Sequence, residues 1–321
     1  MLRLGRSAVG LFSTILLFDL SAAAEPGKTS GSRGVRAVME LGQQFYYAGD
    51  PLQIRISIGN NGVTPVTNPL KTPLFGAFDV QKAEGVAIKA SGKPETPEPT
   101  RPDKLSPNAF YGAVVDLTQI FPDLKNPGTY QIRWAADGVV SDTILVRIIP
   151  RYNPEKDYRA RFETDQGVFV IDFFKKTAPI AVKAFVDMVN SGFYDGLAFH
   201  VIRPDLYVVG GDPLGSGAGQ APFTFPAELS NVPVVTGTVL MKPVGAAPPA
   251  NSSQFVVMLH PDPTYTGQFT VLGQVVEGLE VVQKISRLPS TQQASQPYFR
   301  PLKEIVIRKV TTLEKDAGGG A

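Results

Sequence analysis

The chain has 321 residues, 43% hydrophobic and 19% charged, with 31 basic against 29 acidic side chains and a net charge of +2. That length suits about two domains of roughly 100–200 residues, and dispersed charges of this balance offer no basic face to nucleic acid. With no cysteine and only His200 and His260 as histidines, disulfides, thiolate catalysis, zinc–thiolate sites and histidine-based metal clusters are excluded or lack ligands.

Met1 to Arg6 is short and basic, Ser7 to Phe18 is an apolar run, and Ser21-Ala22-Ala23-Ala24 supplies small residues before Glu25. This is the pattern of a signal peptide over residues 1–24. A membrane anchor needs about 20 apolar residues and this run is shorter. The expectation is an exported chain, periplasmic or extracellular, with no transmembrane span once the signal is removed. Residues 25–35 are small, polar and glycine-rich, a flexible lead-in.

Residues 36–150 read as β-structure. Leu52, Ile54, Ile56 and Ile58 alternate with polar residues, the two-residue period of a half-buried strand, and Asn60-Asn61-Gly62 turns the chain. Tyr130, Ile132 and Trp134 alternate again, as do Ile144, Val146 and Ile148, with the hairpin signal Asp137-Gly138 between them. Lys93 to Pro107 is rich in proline and charge, an exposed loop. With no amphipathic helix before Pro150, short strands and turns point to an immunoglobulin-like β-sandwich. Residues 151–157 form a proline-bearing linker, and 313–321 a disordered tail.

The second domain spans residues 158–312. Ala160 to Thr164 and Val168 to Phe174 read as strands around Gly167. Pro179 suits a first helical turn; Val182, Phe185, Val186 and Val189 make a buried helical stripe; Gly192 stops it. Val276 to Ile285 is expected as a second helix and Leu302 to Val310 as the last strand. His200, Ser253 and Asp212 have no spacing that places a triad, and the glycines from Gly210 to Gly219 lack the lysine of a phosphate loop.

Three runs carry a resemblance. Ser191-Gly192-Phe193-Tyr194-Asp195-Gly196-Leu197-Ala198-Phe199-His200, Gly210-Gly211-Asp212-Pro213, and Asn251-Ser252-Ser253-Gln254-Phe255 follow one another in order and at the intervals found in cyclophilin-type prolyl isomerases. The region resembles that family, which implies a mostly β chain: the sandwich followed by an eight-stranded closed β-barrel capped by two helices. It also implies a prolyl isomerase needing no metal or cofactor, acting on proline-containing polypeptides; the rival reading is a non-catalytic proline-peptide-binding or scaffolding module. Ser252 replaces the family's glycine. The family's arginine after Phe-His is here Val201, and Arg203, on the same side of a strand about 6.6 Å further on, is the candidate substitute. The resemblance assigns catalysis to Arg203 and Gln254. It assigns substrate binding to Phe199, Val201, Leu206, Tyr207, Val209, Val256, Tyr265, Phe269 and Leu272.

Overall fold

The computed structural model describes residues 34–43, 45–244, 250–291 and 299–315. The expected signal peptide, most of the lead-in and the tail from residue 316 lie outside them.

In the N-terminal half the alternation settles the packing. Leu52, Ile54, Ile56 and Ile58 are fully buried on the strand Gln53–Asn60, which pairs with Val35–Leu41 on one side and Phe110–Asp116 on the other. A second sheet runs in the order Tyr46–Tyr47, Ile144–Ile149, Gly128–Ala136, Phe78–Lys82, Ala87–Ile88. Its inward Tyr130, Ile132, Trp134 and Val146 join the same hydrophobic cluster. Trp134 is fully buried and donates from Nε1 to the Leu74 carbonyl at 2.6 Å, as a buried indole must. Asp137 and Gly138 both take positive φ, 50° and 80°, the geometry of a tight hairpin turn. That turn links Gly128–Ala136 to the short strand Val139–Val140, ahead of the longer partner Ile144–Ile149. Among the described residues before Pro150, α-helix is confined to Leu117–Ile120, capped by the Asp116 carboxylate.

The C-terminal half contains β1 (Tyr158–Thr164), β2 (Gly167–Phe173), α1 (Pro179–Asn190), β3 (Val201–Arg203), β4 (Tyr207–Gly210), β5 (Thr238–Val244), β6 (Ala250–Met258), β7 (Val271–Glu277), α2 (Leu279–Ser286) and β8 (Ile307–Glu314). The sheet runs β3-β4-β6-β5-β7-β2-β1-β8, with Phe225–Pro226 added beside β6. The ends of this path do not pair as strands, so the expected barrel is not closed. The reason is length: β3 has three residues before Pro204. The two ends are joined instead by the Ala198–Val306 bridge and by single backbone bonds such as Phe199 N–H to Ile305 O (3.0 Å), Ile202 N–H to Phe299 O (2.8 Å) and Ile307 N–H to Leu197 O (2.7 Å).

Two further boundaries differ from the sequence reading. Val276 and Glu277 remain in β7, and Gly278, at φ 72°, turns the chain into α2 at Leu279. The last strand starts at Ile307 rather than Leu302 and extends to Glu314, absorbing the start of the expected tail. Helix α1 begins with Pro179 as expected, but its N-cap, Ala178, has no capping side chain. The distant Glu228 carboxylate accepts from the N–H groups of Ile180 (3.1 Å) and Ala181 (2.8 Å) instead, satisfying donors the first turn leaves free. No helix among the described residues is long and apolar enough to cross a membrane.

The halves meet at α1. Asp187, only 3% exposed, accepts from the Tyr47 hydroxyl and from Lys183, each at 2.6 Å. Arg151 lies over the Tyr47 ring at 4.7 Å, and Arg147 donates to the Ser191 carbonyl. Burial and the bond to Asp187 hold the Tyr47 hydroxyl above its ordinary pKa, so it donates throughout the physiological range. Hydrogen bonds to charged, buried acceptors contribute about 1.5–3 kcal/mol. Tyr47→Phe is therefore expected to lower the urea midpoint by an amount equivalent to about 1.5 kcal/mol; an unchanged midpoint would show that the bond contributes nothing to joining the halves.

Candidate functional site

Phe255, fully buried on β6, sets which residues of the sheet look inward. Its ring lies 5.5 Å from Phe162, 5.8 Å from Phe185, 5.9 Å from Tyr194 and 6.2 Å from Phe199. These separations suit edge-on and tilted aromatic contacts. Because successive side chains on a strand point to opposite faces, an inward Phe255 turns Gln254 and Val256 outward.

Cross-strand register carries this parity across the sheet. Ile202, Val208, Val257 and Val239 are paired in sequence across β3, β4, β6 and β5, and all belong to the interior cluster. One residue away, Val201 pairs with Val209, Val209 with Val256, Val256 with Leu240, and Leu240 with Val271. This second row lies on the face opposite the Phe255 core and is itself largely covered, with Val201 7%, Val209 6% and Leu240 1% exposed. Leu240, Met258, Val271 and Val234 form a separate apolar cluster there, against which Tyr207, Val256, Tyr265 and Phe269 pack. The Tyr265 and Phe269 rings meet edge to face at 5.0 Å. The result is an apolar floor with aromatic flanks, chemically suited to a proline ring.

The two ends of this row differ. At one end lie Arg203 and Tyr207, paired in register; the exposed Arg203 guanidinium sits 5.9 Å from the Tyr207 ring and 5.3 Å from Phe299. At the other end is a polar knot. The Asp212 carboxylate, 1% exposed, accepts from the N–H groups of Leu214 (2.8 Å) and Gly217, which folds the glycine-rich loop around it. Gln254 donates to the carbonyls of Gly217 (3.1 Å) and Gly219 (2.6 Å). Lys242 donates to Gly217 O and to Gln254 Oε1, both at 2.8 Å. Gly211 makes the turn possible: its φ is 84°, and a Cβ there would stand 2.3 Å from the Ser253 carbonyl. Burial pulls the Lys242 ammonium below its ordinary pKa, with Asp212 opposing.

His200 lies behind this knot, 5% exposed, and neither ring nitrogen has a hydrogen-bond partner. Burial lowers its pKa to about 4, against the pull of Asp212, so it is neutral at pH 7. Ser253 Oγ accepts from the Ala221 N–H at 3.1 Å, and with both His200 ring nitrogens unpartnered there is no Ser–His pair. Ser252, in the place of the family's glycine, donates to the Phe223 carbonyl at 2.9 Å.

Of the residues assigned from the sequence, Val201, Tyr207, Val209, Val256, Tyr265 and Phe269 come together on the outer face. Leu206, half-buried, sits at the turn between β3 and β4, and its carbonyl accepts from the Leu259 N–H at 2.8 Å. Phe199 and Leu272 are placed elsewhere: both are buried in the interior cluster, out of reach of anything lying on the outer face. Phe199 lies between the Ala198–Val306 bridge and β3, where the alternation has not yet begun; Leu272 follows the outward Val271 and so points in. Gln254 is at the groove's edge with its amide already engaged. Lys242 was missed, because a single lysine in an apolar strand carries no local signal of what it touches.

Residues 159–312 match the family described as cyclophilin type peptidyl-prolyl cis-trans isomerase/CLD. The chain is similar to peptidyl-prolyl cis-trans isomerase CYP18-2 of Arabidopsis thaliana, 32% identical over 155 residues that make up 47% of this chain and 92% of that protein. It is also similar to peptidyl-prolyl cis-trans isomerase-like 1 of Mus musculus, 33% identical over 150 residues, 46% of this chain and 87% of that one. Among solved structures, a cyclophilin type peptidyl-prolyl cis-trans isomerase of Cryptosporidium parvum aligns with a TM-score of 0.46 and 25% identity, covering 50% of this chain and 99% of that chain.

The buried, neutral His200 makes a prediction about pH. Its folded pKa lies below the unfolded value of 6.5, so its contribution is complete above pH 6.5 and is lost as pH falls toward 4. Between pH 7.5 and pH 5 this one group should remove about 2 kcal/mol. Urea unfolding of wild type and His200→Phe at the two pH values isolates the effect, because the other groups titrate in both. The wild type should lose about 2 kcal/mol more than the variant; equal losses would mean that His200 is solvated or paired in solution.

Proposed function

The chain belongs, through residues 159–312, to the cyclophilin-type peptidyl-prolyl cis-trans isomerase family, and from this we propose that its outer-face groove takes up Xaa-Pro segments of exported polypeptides and speeds their isomerisation. The observation that carries the proposal is the unbroken apolar row Val201–Val209–Val256–Leu240, flanked by Tyr207, Tyr265 and Phe269. Rotation about the Xaa–Pro bond faces about 18–20 kcal/mol from amide resonance. The reaction transfers no group and calls for no metal or cofactor. It requires a dry seat for the pyrrolidine ring and a donor that favours the twisted amide over the planar one.

Export rests on the basic, apolar and small-residue runs of residues 1–24. The immunoglobulin-like reading of residues 36–150 is supported by two sheets sharing one core, and this half would carry the groove toward its clients. A second reading, binding without turnover, is favoured by Val201 in the family's arginine position and by the saturated amide of Gln254.

Exchange NMR on an Ala-Pro tetrapeptide with the full chain tests the proposal: the cis/trans exchange rate should rise in proportion to protein concentration, and an unchanged rate at micromolar protein would overturn it. Val201→Arg places a guanidinium at the β3 end of the apolar row. Loss of one well-placed donor costs 10²–10³ in rate elsewhere, so this variant should raise kcat/KM by about tenfold or more; no gain would mean that the groove is not shaped around that position.

A further inference from the structure

Two cations flank the apolar row, and the structure distinguishes them. Arg203 stands at the Tyr207 end, exposed to water and lying over two aromatic rings. Lys242 stands at the opposite end, just past Leu240 on β5, where the register with β6 shifts between Met241 and Pro243; its bond to Gln254 Oε1 is what puts the ammonium on this face. It is half-buried, and its Nζ is fixed by Gly217 O and Gln254 Oε1. A cation withdrawn from water acts more strongly on a neighbouring dipole than a solvated one.

Gln254 cannot supply the donor from this arrangement. Its Nε2 donates to two loop carbonyls and its Oε1 accepts from Lys242, so both amide protons are committed. Lys242 has three ammonium protons and two acceptors. Its third proton is the uncommitted donor at that end of the groove.

We propose that Lys242 is the catalytic cation of the groove, its free ammonium proton directed at the prolyl nitrogen of an Xaa-Pro segment lying across Val201, Val209, Val256 and Leu240. This rests on the isomerase reading above. In the planar amide the prolyl nitrogen's lone pair is delocalised onto the carbonyl oxygen. Twisting returns the pair to nitrogen, which becomes pyramidal and basic. A donor on that nitrogen stabilises the twisted state alone, whereas one on the preceding carbonyl oxygen would stabilise the planar form. The interaction therefore acts on kcat rather than on KM. No bond is made or broken and no proton is transferred. The polar knot then has a purpose: the Asp212-centred loop and Gln254 hold the ammonium at the groove's rim.

The groups around the ammonium are the Asp212 carboxylate and the neutral His200 and Gln254 side chains; Arg300, which donates to the Gly215 carbonyl of the same loop, acts on His200. With Lys242 held below its ordinary pKa, activity should fall on an alkaline limb that begins below the usual lysine range.

The test measures kcat and KM on an Ala-Pro tetrapeptide, together with peptide affinity by calorimetry, for the full chain and its variants; melting temperatures check folding. Lys242→Met should lower kcat by about 10²-fold, leave KM within roughly threefold and lose the alkaline limb. Lys242→Arg should keep most of the rate, and Val201→Arg should restore turnover in the Lys242→Met background. An active wild type with Lys242→Met equally active overturns the role of Lys242 and leaves the isomerase reading standing. A wild type that binds the peptide without turnover also overturns Lys242 as a catalytic cation, in favour of the binding-module reading. A wild type that neither binds nor turns over the peptide overturns both.

Discussion

Phe255 is the residue from which the site is laid out. Its ring is held on the inner side of β6 by Phe162, Phe185, Tyr194 and Phe199, and a strand so anchored cannot slip by one residue without turning its aromatic ring to solvent and its amide into the core. With β6 fixed, the ladders to β4 and β5 fix Val209 and Leu240 outward, and β3 follows with Val201. The groove is thus the reverse side of the core: the same strands supply Ile202, Val208, Val257 and Val239 to one face and the apolar row to the other.

The polar end of the groove depends on a second constraint, the packing of a glycine-rich loop around one buried carboxylate. Asp212 accepts from the loop's own N–H groups, and Gly219 lies so close that a Cβ there would stand 1.9 Å from Asp212 Oδ1. The loop's carbonyls are then turned toward Gln254 and Lys242. The position after Phe199-His200 is Val201, an aliphatic member of the row, and the half-buried cation of this face, Lys242, belongs to β5.

Much of this was legible in the sequence, and the remainder failed for identifiable physical reasons. The two-residue period of Leu52 to Ile58, the helix from Pro179 to its glycine stop, and the Asp137-Gly138 turn are local signals, and each appears where it was read. The motif runs hold the fixed points of the outer row and its polar end: Phe255, the Gly-Gly turn and the buried Asp212. Closure of the barrel was not legible, since it depends on how many residues β3 can devote to pairing before Pro204. The start of α2 depended on Gly278 adopting positive φ after the strand had already taken Val276 and Glu277. Strand parity sends Leu272 inward, and Phe199 is buried in the core from a segment ahead of β3 where that parity does not hold. Glu228 capping α1 and Lys242 meeting Gln254 are long-range contacts with no trace in local spacing.

The halves share a boundary built from Tyr47, Lys183 and Asp187, on the α1 side of the sheet. The central claim is that an Xaa-Pro segment lies on the outer row. Methyl NMR with an Ala-Pro peptide reads this directly, because adjacent residues of the same strands report opposite faces. The account predicts shifts at Val201, Val209, Leu240 and Val256 with Ile202, Val208, Val239 and Val257 unmoved; shifts confined to the second set, or none in either, would contradict it.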